Sequence, residues 1–211
     1  LLNSALNSTI ISFIGIGGIV VCSALAGYKL SRTSGKLSSA IFFLFVASML
    51  VPFHSIMIPL TRMAKDLSVQ GSTYGLALIY IGLGVNMAIF LYHGFVKSIP
   101  RELEESAQMD GCNEFQTFFR IIFPLLLPIT VTIAILDFLW IWNDFLLPLL
   151  MLTDVNHYTL ILSTNMLFGE YNKDWSLILA ALVLTSIPVI LIYAFFQKFI
   201  MEGIAEGAVK G

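Results

Sequence analysis

"RELEESAQMDGCNEFQTFFRIIFPLLLP", residues 101–128, sets four glutamates, one aspartate and a glycine between two long apolar runs. Its first half reads as a short helix. Pro100 suits a first helical position, with its fixed φ and missing N–H. Glu102, Glu104 and Glu105 then fall near the positive end of the helix dipole. Leu103, Ala107 and Gly111 are spaced by four, a narrow stripe of mostly small residues. Asp110-Gly111 is a turn signal that ends the helix. A second helical pattern follows, with Phe115, Phe118, Phe119 and Ile122 on one face, and leads through Pro124 into hydrocarbon.

The rest of the chain says which solvent surrounds that segment. Of 211 residues, 58% are hydrophobic and 11% charged, and the mean hydropathy is +0.90. A soluble domain carries about 25% charged residues, so there are too few charges here to cover one soluble core. The net charge of -2 and the lack of a basic arm give no partner role to nucleic acid. A bilayer core needs about 20 apolar residues per helix. Five stretches qualify, near residues 9–28, 39–60, 74–96, 121–150 and 177–200. The second is broken by Pro52 and Pro59. The runs are long and do not alternate, which argues against strands. The fold class expected is all-α: one polytopic helical membrane domain over residues 1–211. Cys22 and Cys112 lie far apart in unlike surroundings, so no disulfide is expected.

Lys and Arg set the orientation. Eight of the 11 (Lys29, Arg32, Lys36, Lys97, Arg101, Arg120, Lys198, Lys210) fall on one side if five helices alternate; Arg62, Lys65 and Lys173 fall on the other. That bias puts the acidic segment, residues 97–120, and the C-terminus in the cytoplasm. The N-terminus then lies outside with no preceding span, which predicts a further N-terminal helix beyond Leu1. Residues 151–176 form the longest outer connection, suited to an ordered loop or a short lateral helix.

Helices that lie on lipid surfaces put Lys and Arg on their polar face. Glutamates facing anionic headgroups are unfavourable. An acidic helix therefore suits a protein partner that brings Arg or Lys; the alternative is an ordinary amphipathic connector.

Here the chain resembles a known family. Glu105-Ser106-Ala107, Gly111 after three residues, and Ile121, Phe123 and Pro124 further on are similar to the EAA signature of binding-protein-dependent ABC importer permeases. "SIPRELEESAQMDG" resembles the form found in maltose-type carbohydrate permeases. "SALAGYKLSR", "IWNDFLLPLL" and the tail "GIAEGAVKG" resemble other parts of that family, so the likeness covers nearly the whole chain. Ser106 stands for an alanine, Phe123 for a leucine and Cys112 for a small residue. The family has six helices and the resemblance starts at the second.

The resemblance implies a type I ABC importer permease fold with five of its spans present. It makes the acidic segment a coupling helix docked on a cytoplasmic ATPase, with Glu104, Glu105, Ala107, Asp110, Gly111, Ile121 and Pro124 as the coupling residues. It further implies a second, homologous but non-identical permease, two ATP-binding cassette subunits, an extracytoplasmic sugar-binding protein, and a bacterial or archaeal cytoplasmic membrane. ATP and Mg would sit on the partners, since the chain has no G-x-x-x-x-G-K-[ST] and is expected to bind no cofactor. The expected activity is transport of sugar or oligosaccharide, not catalysis. Polyamine, amino acid or phosphate cargo is the alternative within the class. An ion-coupled secondary transporter is the alternative outside it, but should show internal symmetry.

Ionisable or strongly polar groups at membrane depth are costly and mark candidate paths. Asp137 lies mid-way through the fourth run, with Trp142, Asn143 and Asp144 near its outer end. Carboxylates and amides can hold sugar hydroxyls, and an indole face can pack on a sugar ring. The competing reading makes Trp142, Asn143 and Asp144 an interfacial anchor and turn, with Pro148 ending the helix. His54 and Asn86 either line the path or bond between helices. His54, His93 and His157 are too scattered for a metal site.

Overall fold

The computed structural model describes residues 1–168 and 175–208, and those residues contain no strand. The helices are α1 (Leu2–Arg32), α2 (Lys36–Ser48), α3 (Phe53–Asp66), α4 (Thr73–Val96), α5 (Glu102–Met109), α6 (Glu114–Thr117) and α7 (Phe123–Leu125). Then come α8 (Leu127–Asn143), α9 (Leu146–Met151), α10 (Leu160–Met166) and α11 (Trp175–Ala208). A π-helical turn, Phe118–Ile122, joins α6 to α7, and a 3-10 turn, Val155–His157, precedes α10. Among the described residues, three helices are long and apolar enough to cross a membrane, or up to five if each of two bent pairs makes one span. Their outer surfaces are hydrocarbon: Phe13 is 81% exposed and Phe195 75%. In water so much exposed apolar area would be untenable for a single chain, and in lipid it is the expected covering.

The breaks follow the prolines, though not all of them. The second apolar run is two helices, because Pro52 has no N–H to extend α2 and instead caps α3 in an extended conformation. Pro59 does not break it; it lies inside α3. In the fourth run, Pro124 cannot donate to the Arg120 carbonyl. The backbone widens there, and the Phe123 N–H reaches the Phe118 carbonyl five residues back. Pro128 is the second residue of α8, where no donor is needed. Pro148 does not end α8 as the anchor reading expects. It is buried within a separate helix, α9.

Two compact units make up the chain. The first comprises Leu1–Gly18, Val51–Leu83 and Ile135–Lys198. It explains why α1 begins at Leu2, seven residues ahead of the apolar run that starts near Thr9. Three polar residues in its first two turns are used. Ser4 Oγ lies 2.7 Å from Ser163 Oγ, and Asn7 Nδ2 donates to the carbonyls of Asn156 and Tyr158. Ser8 Oγ accepts from the Leu160 N–H at the start of α10. Within the connection 151–176, the described residues up to 168 include a 3-10 turn and the short helix α10, and residues 169–174 lie outside the described ones.

The second unit comprises Ile19–Leu50, Gly84–Ala134 and Phe199–Gly211. Here α1 and α4 meet at Gly27. A Cβ on Gly27 would stand 2.7 Å from Tyr92 Cβ, 3.1 Å from the His93 nitrogen and 3.3 Å from the Ile89 carbonyl oxygen. Two of those neighbours are backbone and cannot rotate away. Tyr92 is fully buried and its hydroxyl donates to Thr130 Oγ1, 2.9 Å away. Gly27→Val is therefore expected to force the helices apart, costing about 1–3 kcal/mol. Thermal unfolding in detergent would show it as a lowered midpoint.

Candidate functional site

The acidic helix α5 lies in the second unit, and its geometry is set by what flanks it. Its three first-turn carboxylates face the positive end of the helix dipole. Pro100 stands ahead of the N-cap, Arg101, rather than at the first helical position. The chain turns just ahead of it, where Arg32 Nη2 donates to the Ile99 carbonyl at 2.8 Å. At the other end, the Gly111 N–H bonds the Gln108 carbonyl and the Cys112 N–H bonds the Ala107 carbonyl. That is a Schellman close, and it requires the left-handed φ of +84° that Gly111 adopts. Asp110-Gly111 thus ends the helix where the turn signal sets it. Asn113 starts α6 with a capping box: its side chain accepts from the Gln116 N–H, and the Gln116 side chain accepts from the Asn113 N–H.

The inward face of α5 is not the Leu103–Ala107–Gly111 stripe. Leu103 is 41% exposed, while Glu104 and Ala107 are buried. The reason is Glu104. Arg32 Nε donates to its Oε1 at 2.6 Å and Tyr28 Oη to its Oε2 at 2.9 Å. Both members of the ion pair are nearly buried, with side chains 12% and 11% exposed. Tyr28 and Arg32 are one turn apart on the last turns of α1, so they grip the carboxylate together. The Tyr28 ring also packs on Phe118, centroids 5.1 Å apart. By contrast the Lys29–Glu114 pair, 3.0 Å, is largely exposed and adds little.

Thus the acidic segment has two faces. Glu104 and Ala107 hold it to the body of the second unit. Glu105, Asp110 and Gly111 remain exposed, and a Cβ on Gly111 would meet nothing within 4 Å. Ile121 is half-buried in the π turn and Pro124 is exposed after it. The Phe face is narrower than the sequence pattern suggests. Phe118 and Ile122 are buried, while Phe115 and Phe119 are 71% and 51% exposed.

The path candidates fall elsewhere and are not gathered into one cluster. In the first unit Trp142 is 6% exposed; its Nε1 donates to the Thr185 carbonyl and its ring stacks on Phe138. That indole is committed to packing. Asn143 is exposed and its Nδ2 donates to the Leu139 carbonyl. Asp144 accepts from the Leu146 N–H on Oδ1 and from Tyr80 Oη, 2.8 Å away, on Oδ2. Asn143 and Asp144 therefore make the turn between α8 and α9. Asp137 is different: 8% exposed, with an Oδ2 that has no hydrogen-bond partner among the described residues. His54 is exposed on α3 beside Phe53, and in the second unit Asn86 is half-buried on α4.

Sequence reasoning missed three of the side chains that organise these sites: Tyr28, Arg32 and Tyr80. A signal for the first two was present, since Tyr28 and Arg32 share one helical face, but Arg32 registers in the sequence only as a topogenic charge. Tyr80 gives an immediate test. It is fully buried, so Tyr80→Phe leaves an Asp144 oxygen without its donor, at a cost of about 1–3 kcal/mol. The midpoint of unfolding of the purified chain measures it.

The chain is a multi-pass helical membrane protein with an acidic, glycine-closed helix between its spans, and comparison with known proteins gives its family. Residues 18–205 match the model for the "Binding-protein-dependent transport system inner membrane component" family, and the chain belongs to that family. It is 40% identical over 204 residues to AmyC of Thermoanaerobacterium thermosulfurigenes, named as the probable starch degradation products transport system permease protein. That match spans 97% of this chain and 74% of AmyC. It is 37% identical to the melibiose/raffinose/stachyose import permease protein MelC of Bacillus subtilis (strain 168), over 99% of this chain and 76% of MelC. In fold it is similar to a chain of a bacterial ABC transporter that imports the acidic polysaccharide alginate. The TM-score is 0.83 at 23% identity, over 93% of this chain and 74% of the other. A chain of this family is a non-enzymatic permease subunit that works with other ABC transporter components.

Proposed function

We propose that the chain forms half of the translocation pathway of an ATP-driven importer of sugar or oligosaccharide. The observation that carries this is the likeness, along nearly its whole length, to permeases named for starch products and for melibiose, raffinose and stachyose. In this reading the partners are a homologous, non-identical permease, two ATP-binding cassette subunits and an extracytoplasmic binding protein. ATP and Mg sit on the cassettes, and this chain supplies no cofactor site. The membrane is that of a bacterial or archaeal cell, and the basic bias of the connections supports a cytoplasmic side for α5 and the C-terminus.

The two faces of α5 support a division of labour. Glu105, Asp110 and Gly111, all exposed, meet the cassette, while Glu104 and Ala107 join the helix to the permease body. Closure of the cassettes on ATP moves α5, and the Arg32–Glu104 pair carries that motion into α1. The spans then rock between inward- and outward-open packings of similar energy, and loaded binding protein biases the outward one.

Reconstitution with the partner subunits tests the proposal. ATP-dependent accumulation of labelled oligosaccharide, supplied on its binding protein, is the expected result. Uptake driven by an ion gradient without ATP, or accumulation of amino acid or polyamine instead, would overturn it. Asp137 offers a finer test of the path. Removing an unpartnered buried polar group stabilises by about 1 kcal/mol or more, so Asp137→Leu is expected to raise the unfolding midpoint. The same variant should lose sugar uptake if the carboxylate meets cargo hydroxyls. A more stable variant with full uptake would remove Asp137 from the path.

A further inference from the structure

In the second unit a cavity of about 140 Å³ opens between α1, α2 and α4, lined by Leu30, Ser38, Ser39, Phe42, His93 and Lys97, with Phe43 at its edge. It lies at the end of the helices where Lys29, Arg32, Lys36 and Arg101 also fall. No acid lines it. Its polar groups are idle. His93 is only 9% exposed and its ring stacks on Phe42 at 3.8 Å, but neither ring nitrogen has a hydrogen bond among the described residues. Lys97 has no ion pair and the Ser39 hydroxyl no hydrogen bond among those residues. Ser38 alone is engaged, donating to the Leu30 carbonyl at 3.1 Å.

We propose that this cavity seats the phosphate of an anionic phospholipid headgroup. Three donors of positive or neutral character (Lys97, His93, Ser39) converge on a space with no competing carboxylate. The first turn of α2 adds backbone N–H groups, since its N-cap, Gly35, supplies no side chain to satisfy them. His93 lines this space with ring nitrogens free to bond an occupant. A free phosphate would satisfy these donors equally well, but the surroundings favour a lipid. Leu37, Ile41 and Leu44, spaced i, i+4, i+7 along α2, are 75%, 38% and 71% exposed, an apolar stripe for an acyl chain. Basic pockets between transmembrane helices are known receptors for such headgroups.

Native mass spectrometry of the intact importer, purified with mixed phosphatidylglycerol and phosphatidylcholine, tests this. Wild type should retain phosphatidylglycerol, on the order of one per copy of this chain, and discriminate against phosphatidylcholine. Lys97→Gln should lower that occupancy about fivefold, the share of one basic group near a headgroup, and Lys97→Arg should keep it. Ser39→Glu guards against misfolding, because Ser39 is exposed and an acid in the first turn of a helix is favourable. It should expel the lipid by charge while α2 stays intact. Equal retention of both lipids, no retained lipid, or unchanged occupancy in Lys97→Gln and Ser39→Glu would overturn the proposal. Displacement of the lipid by millimolar inorganic phosphate would overturn it in favour of a soluble anion.

Discussion

Gly111→Leu is expected to abolish coupled transport, lowering ATP-driven uptake at least about tenfold, the effect of ~1.4 kcal/mol lost from a docking step. Two causes act at this position and can be separated. Gly111 holds φ +84°, where a side chain costs about 1–2 kcal/mol. It is also exposed, with open space where a Cβ would point, so nothing in this chain resists bulk there. Asparagine tolerates the left-handed conformation but still adds a side chain. If Gly111 serves only the Schellman close, Gly111→Asn should restore uptake. If a cassette packs against it, Gly111→Asn should fold normally and still transport poorly, and that is the result expected. Uptake and substrate-stimulated ATPase, measured on the same reconstituted preparations, distinguish them. Normal values of both in Gly111→Leu would sink the docking role.

Arg32→Met should have the largest effect on stability. It leaves the nearly buried Glu104 carboxylate with only Tyr28 as partner, and breaking such a pair costs about 3–5 kcal/mol. Glu104→Gln should cost less, because an amide oxygen still accepts from Tyr28. The double variant Arg32→Met, Glu104→Met should recover most of the loss, since two apolar side chains fill the site without a stranded charge. Unfolding midpoints across this cycle give the coupling energy directly. The recovered double variant then asks a functional question. If the ion pair transmits motion from α5 to α1, it should be stable but transport slowly. Full uptake in the double variant would reduce the pair to a structural clamp.

The acidic segment shows how far sequence can carry such a reading. The dipole-facing glutamates and the Asp110-Gly111 stop are local matters, fixed by residues a few positions apart. They stand in the structure as the spacing predicts. Inward and outward faces are not local. Periodicity offered Leu103, Ala107 and Gly111 as one stripe, but Glu104 turned inward because Arg32 and Tyr28, 72 and 76 residues away, were there to meet it. A carboxylate is read from sequence as a surface group until a buried cation is known to face it.

The same division holds along the whole chain. Composition and five apolar runs determined an all-helical membrane protein, because lipid leaves the backbone only helices or closed barrels, and the runs exclude the barrel. Tertiary structure alone decided which polar groups are spent. Asp144 and Trp142, candidates by position, are bound to Tyr80 and the Thr185 carbonyl, whereas Asp137 is buried with an oxygen that has no partner among the described residues. Hydropathy counts a residue's cost of leaving water, and only the packed neighbours determine whether that cost has been met.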